Sequence, residues 1–233
     1  MKRLFLLGLC GALALLFTGL GIWQVERLQW KLDLIERVEA RVNAPAERIG
    51  YPARLASLPA DELEYRKVTV SGRFDHRRET LVEALTERGP GFWVLTPLVG
   101  PGGTILVNRG FVPPDRRSPD RRPEGQVTGE VAVTGLVRLS EPDGRFLRPN
   151  RPRQERWYSR DVAAIAAARG LGRVPPFFID ADASANPGGL PVGGLTVVKF
   201  RNTHLVYALT WFALAGLGLW GVVLLSRTPA KRG

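Results

Sequence analysis

The chain has 233 residues, a net charge of +11, a pI near 10.7 and one cysteine. Two long apolar runs leave material for one soluble domain with a core of its own. The lone Cys10 lies inside the first run, which excludes an intramolecular disulfide, a cysteine zinc site and a C-x-x-C redox pair. Lys2, Arg3, Arg227, Lys231 and Arg232 flank the runs, and the other positive charge is dispersed. That pattern suits anionic lipid and argues against nucleic acid as a partner.

The first run, Leu4 to Val25, is uncharged and long enough to span a bilayer. Its only Ala-Leu-Ala, Ala12 to Ala14, is buried mid-run, so an uncleaved anchor is expected in place of a signal peptide. Beyond it Val25, Leu28, Leu32, Ile35 and Val42 recur at helical spacing, and Asp33 stands four residues before Arg37. The helix is therefore expected to continue to Pro45, with Trp23, Arg27 and Trp30 on one stripe at the water interface. On spacing alone that stripe reads as an aromatic belt with a snorkelling arginine.

From Arg66 the period changes to two: Val68, Val70 and Phe74 alternate with polar residues. Further strands are expected at 80–85, 92–99, 104–112, 130–138, 177–179 and 196–200, between turns such as Gly89-Pro90-Gly91 and Gly100 to Gly103. The expected core includes Val70, Phe74, Val94, Leu106, Val133 and Val137. Short punctuated strands predict a mostly β extramembrane domain, an antiparallel barrel or sandwich of α+β type. Asp161 to Arg169 predicts one soluble helix, stopped by Gly170. Pro113 to Gly125 reads as a solvated spacer loop, since Asp115, Asp120 and Glu124 offset three of its four arginines. Asp180 to Pro191 begins like a calcium loop, but Ala185 and Pro191 occupy the positions that need Gly and Glu, so an Asp- and Asn-rich turn is expected.

From His204 to Ser226 there is again no Asp, Glu, Lys or Arg, which predicts a second span. The organisation read from the chain is thus a transmembrane helix over 4–25, a β domain over 26–203 and a transmembrane helix over 204–226. Gly216, Gly218 and Gly221 spell G-x-G-x-x-G, but inside a membrane helix with committed amides they suit close helix approach and not a dinucleotide. Basic residues at the outer ends of both spans place both termini in the cytoplasm, with the domain translocated. The two histidines are His76, expected to be an exposed residue of a charged turn, and His204, capped by Asn202 or Thr203 at the start of the second span. Neither stands beside a nucleophile constellation, so no enzyme is expected. His204, Tyr207 and Trp211 share one helix face. A ring nitrogen at the hydrocarbon border needs a partner: a backbone carbonyl, a headgroup or a metal.

Three blocks, GIWQVERLQWK at Gly21 to Lys31, FWVLTPLV with TILVNRGFVPP in the middle, and NTHLVYALTWFALA at Asn202 to Ala215, together resemble the surfeit locus protein 1 family of cytochrome c oxidase assembly factors. The family carries an Asn pair before the histidine, where Thr203 stands here. The resemblance implies a twin-span protein aiding haem a delivery to, or insertion into, oxidase subunit I, with haem a bound transiently and haem a synthase as a further partner. With no transit peptide before the first span, the bacterial inner (plasma) membrane is expected, the domain being periplasmic. The family's histidine falls on His204, which would be the metal ligand. Tyr207 and Trp211 match the same block, and Trp23, Gln24, Arg27, Trp30 and Lys31 the first. The implied haem pocket is His204, Tyr207, Trp211, Trp23 and Arg27, with Arg27 or Lys31 near propionates. Two alternatives stand beside it: a membrane scaffold stabilising an oxidase intermediate without binding haem, and a membrane-bound enzyme.

Overall fold

A computed structural model describes residues 2–227 except Tyr51, Lys199 and Arg201, with backbone only for residues 52–54. Of the basic residues that flank the runs, Lys231 and Arg232 lie outside the described residues. The chain divides into two compact units, one from residues up to Glu39 and from Val198 on, the other from Ala40 to Val197.

The first unit is a helix pair. Helix α1 runs unbroken over Lys2–Asn43, ending two residues before Pro45, and α4 over His204–Arg227. Both are long and apolar enough to cross a membrane. The helices touch where side chains are small. A Cβ on Gly218 would lie 3.1 Å from Ala14 Cβ, and one on Gly221 would lie 3.2 Å from Cys10 Sγ. Those glycines therefore serve helix contact, as their place in an apolar run implies. Phe17 stacks on Trp211 at 5.6 Å. At one end Arg3 Nε and Nη2 donate to the carbonyls of Leu225 and Ser226, both at 2.9 Å, and so satisfy two carbonyls that the helix terminus leaves open.

The second unit is built on a seven-stranded sheet: β1 (Glu47–Arg48), β2 (Lys67–Phe74), β3 (Thr80–Thr86), β4 (Gly89–Gly100), β5 (Gly103–Val112), β6 (Val131–Leu139) and β7 (Phe177–Ala181), with the one-turn helix α2 (Ala60–Leu63) between β1 and β2. The order is β1-β2-β6-β7-β5-β4-β3, with a further pairing of β2 to β4. That pairing needs close backbone approach: Cβ atoms on Gly72 and Gly100 would lie 2.6 and 2.5 Å from the carbonyl oxygens of Val99 and Ser71. The sheet is mixed, which corrects the antiparallel expectation. β1 runs parallel to β2 and β5 parallel to β7, whereas β6 and β7 are antiparallel neighbours joined through helix α3 (Val162–Arg169). Asp161 caps α3, its Oδ1 accepting from Ala164 N at 3.1 Å, and Gly170 ends it in the left-handed conformation.

Burial on both faces of β5 and β7 divides the core. Val68, Val70, Leu98, Ile105, Val107, Val137, Phe177 and Ile179 fill one side, while Val82, Leu95, Leu106, Trp157, Phe178 and the Val162 and Ile165 face of α3 fill the other. This explains why Ile105 to Val112 is an unbroken buried run with no alternation. Of the expected core, Val70, Val94, Leu106 and Val137 are fully buried, and Phe74 and Val133 pack partly buried at its edge.

Five local expectations fail. Gly89-Pro90-Gly91 is no turn but the start of β4, paired with Ala84 to Thr86 of β3. No strand forms at 196–200: Thr196 to Val198 and Phe200 are irregular, with Lys199 outside the described residues. His76 is half-buried, its Nε2 bonded to Val127 O at 2.9 Å, and is not a free turn residue. Asp180 belongs to β7 instead of a turn. The loop from Pro113 to Gly125 is more than a spacer, because the Arg122 and Glu79 side chains are only 1% and 6% exposed and pair bidentately.

Candidate functional site

In the helix pair His204 opens α4, and Asn202 Oδ1 accepts from its backbone N–H at 3.3 Å as a cap. Its ring meets α1: His204 Nδ1 lies 2.7 Å from Gln24 Oε1. A carboxamide oxygen only accepts, so Nδ1 donates this bond and Nε2 is the ring nitrogen outside it. Nε2 has no protein partner among the described residues. Gln24 is only 9% exposed, and a buried amide in an apolar helix is costly unless bonded. Each residue thus satisfies the other, and the pair fixes which imidazole nitrogen faces outward from the bond.

The other candidates are placed less closely. Trp211 is occupied by Phe17. Tyr207 and Trp23 are exposed, and Arg27 lies 4.6 Å over the ring of Trp30. Lys31 sits 5.0 Å over Phe200. Among the described residues no hydrogen bond or ring contact joins His204 to Tyr207, Trp23 or Arg27. Gln24 matched the first sequence block without being assigned a role. The clue to it was present: within the apolar run from Leu4 to Val25 it is the one side-chain amide, and only a buried partner makes that tolerable.

The domain has its own polar centre. Asp180 Oδ1 accepts from Asn108 Nδ2 at 2.7 Å and from Arg160 Nη1 at 3.2 Å, and Oδ2 from Thr196 Oγ1 at 3.0 Å. Arg138 Nη1 stands 3.6 Å from the same carboxylate. Burial alone would push the Glu141 carboxyl up, but the Arg160 hydrogen bonds and charge outweigh it and hold Glu141 below the usual carboxylate range. Burial likewise pulls Arg160 down, and Asp180 and Glu141 more than offset it. Beside this cluster is a cavity of about 360 Å³ lined by Trp93, Arg138, Arg160, Asp180, Thr196 and Val197. A second buried cation, Arg109, is pulled down to about 10, chiefly by desolvation, with Glu79 opposing and Arg122 adding to the fall. It donates through Nη2 to Gly125 O at 2.5 Å and to Asn186 Oδ1 at 3.1 Å, and its guanidinium lies 4.6 Å over Phe74. Asp180, Glu141, Arg138 and Arg160 answer one another within the domain, which marks that cluster as scaffolding, while the buried Arg109 keeps Nε and Nη1 without a hydrogen-bond partner among the described residues. Among the described residues no group of three or more His, Cys, Asp or Glu side chains is arranged to hold a metal ion.

The architecture is that of a β domain between two apolar terminal helices compatible with membrane anchoring, with a histidine–glutamine pair joining the helices. The chain belongs to the SURF1 family, whose match covers residues 11–216. It is similar to Surfeit locus protein 1 of Rattus norvegicus (42% identical over 230 residues, 91% of this chain and 73% of the relative). The same holds for that of Mus musculus (43% over 230, 91% and 73%) and of Homo sapiens (41% over 231, 91% and 75%).

Proposed function

We propose that this protein is a membrane-embedded, non-enzymatic assembly factor for cytochrome c oxidase that aids haem a delivery or insertion into subunit I. The carrying observation is the 2.7 Å bond from His204 Nδ1 to Gln24 Oε1, which leaves Nε2 as the ring nitrogen available at the head of α4. One histidine without a metal cluster suits a macrocycle that brings its own four nitrogens and needs a single protein ligand. When bound, haem would supply an iron centre to be handed on; the chain's part is to hold, orient and release it. His204 would hold the iron through Nε2 while Gln24 holds the ring by Nδ1, and Tyr207, Trp211, Trp23 and Arg27 would border the macrocycle, with Arg27 or Lys31 toward the propionates. Both chain ends lie on one side of the membrane in this reading, supported by the bonds from Arg3 to Leu225 and Ser226. The domain is then on the other side: the periplasm in a bacterium, or the equivalent face of the mitochondrial inner membrane.

The test is the absorbance spectrum of full-length protein purified from a host that makes haem a. His204→Ala is expected to remove most of the haem at unchanged membrane level, since alanine favours insertion. Equal haem with an unchanged Soret band in that variant would refute the ligand assignment and leave a scaffold that stabilises an oxidase intermediate.

A further inference from the structure

The segment from Glu141 to Arg160, between β6 and α3, is held by a closed set of side-chain bonds. Ser159 Oγ donates to Glu141 O at 2.7 Å and accepts from Asn150 Nδ2 at 3.0 Å and Gly144 N at 3.1 Å. Asn150 Oδ1 accepts from the backbone N–H groups of Tyr158 at 2.7 Å and Ser159 at 3.2 Å. Inside this frame Arg145 and Arg148 exchange backbone hydrogen bonds of 3.0 and 2.8 Å, closing a tight turn. Phe146 and Leu147 form its tip and are 90% and 84% exposed. Leu147 has φ 58°, a left-handed conformation unfavourable for a residue with a side chain. Gly144, at φ 81°, could carry no Cβ without striking Arg148 O at 2.4 Å. The turn is therefore fixed by its surroundings, and what it fixes is the presentation of two large apolar side chains to solvent.

The charge around the tip is predominantly positive, Asp143 being the one exposed carboxylate just before it. Arg145, Arg151, Arg153 and Arg156 are exposed and make no side-chain hydrogen bond or ion pair among the described residues. Arg148 lies 4.3 Å over the Tyr158 ring and pairs with Glu83 at 3.2 Å. Glu155, the one carboxylate between Gly144 and Arg156, is bound by Arg169 Nη1 at 2.9 Å.

We propose that this tip is a lipid wedge: Phe146 and Leu147 enter the interface of an anionic bilayer while Arg145, Arg151, Arg153 and Arg156 meet its headgroups. Two side chains expose far less than the roughly 800 Å² that each partner contributes to a specific protein interface. They suit the shallow insertion of an apolar pair beside long basic stems. The two apolar helices keep this domain at a membrane at high effective concentration, so a weak contact is enough. The inference does not rest on haem binding.

The test uses the full chain in nanodiscs, with Cys10→Ala and Leu147→Cys and an environment-sensitive dye on the new thiol. In phosphatidylglycerol discs the dye should emit as in an apolar medium and be quenched by lipids spin-labelled near the headgroup. In phosphatidylcholine discs, or in high salt, quenching should fall. Arg145→Ala and Arg151→Ala should each lower the insertion constant about five-fold. Phe146→Ser, at a site too exposed to affect folding, should reduce quenching further. A dye that emits as in water in both disc types overturns the proposal, as would happen if the tip docks only on protein. Quenching that ignores lipid charge or survives Phe146→Ser overturns it equally.

Discussion

Replacing Arg122 by Ala tests whether the segment from Pro113 to Gly125 is part of the fold or a spacer upon it. The Arg122 side chain is 1% exposed and its partner Glu79 6%, with Nη1 to Oε2 at 3.2 Å and a second, shorter Nη2 to Oε1 contact. Arg122 Nε also donates to Arg116 O at 3.2 Å, and Gly125, bonded to Arg122 O, is in turn held by Arg109. Truncating one partner of a buried pair leaves the other charge uncompensated, a loss of about 3–5 kcal/mol. Arg109 still offers positive charge near Glu79, so the lower end, ~3 kcal/mol, is expected. For a domain of this size that corresponds to a fall in Tm of roughly 6–12 °C. The assay is thermal unfolding of the full chain in nanodiscs, followed by the emission of the buried Trp157. The double variant Glu79→Gln with Arg122→Met, which removes both charges, should lose much less. An Arg122→Ala protein within about 1 kcal/mol of the parent would refute the reasoning, since a solvated surface pair contributes no more than that.

Two further outcomes follow from the helix contact and from the Glu141–Arg160 pair. A Cβ on Gly221 would lie 3.8 Å from Cys10 Cβ, the separation typical of a disulfide. Gly221→Cys should therefore crosslink to Cys10 within one chain on mild oxidation, seen as a shift on a non-reducing gel, and failure to crosslink would contradict the helix contact. Glu141→Gln should destabilise the domain at neutral pH. Because the folded carboxyl is depressed below its ordinary 4.5, that stabilisation is complete above the ordinary value and lost as pH falls through the folded one. Urea titrations of parent and variant should thus converge in acid, and a gap unchanged to low pH would mean that the Arg160 pairing contributes nothing.

What was legible in the sequence followed from local periodicity. The alternation of Val68, Val70 and Phe74, the cap at Asp161 and the uncharged length of both end helices each depend on neighbours a few residues apart, and each is found. What was not legible depends on partners far along the chain. Glu47 and Arg48 become a strand only because β2 offers an edge. Asp180 looked like a turn residue because Asn108, Arg138 and Arg160, which draw it into the core, lie far from it in sequence. Arg122 looked solvated because its charge is balanced by nearby aspartates on paper, whereas in the fold it is balanced by Glu79. In the candidate site the histidine was found from its depth and from the family resemblance. Its bond to Gln24, which decides the free nitrogen, needed the packing of α1 on α4.

The bonds between Arg3 and the carbonyls of Leu225 and Ser226 join groups 222 and 223 residues apart, and that between His204 and Gln24 spans 180. A growing chain emerges from its N-terminus, so α1 must wait through synthesis of the whole β domain before its partner helix exists. Until then Gln24 is an amide with no mate. The histidine–glutamine pair therefore acts as a completion mark. It forms only on a chain translated past His204, and a message truncated before that residue yields a chain in which Gln24 has no mate.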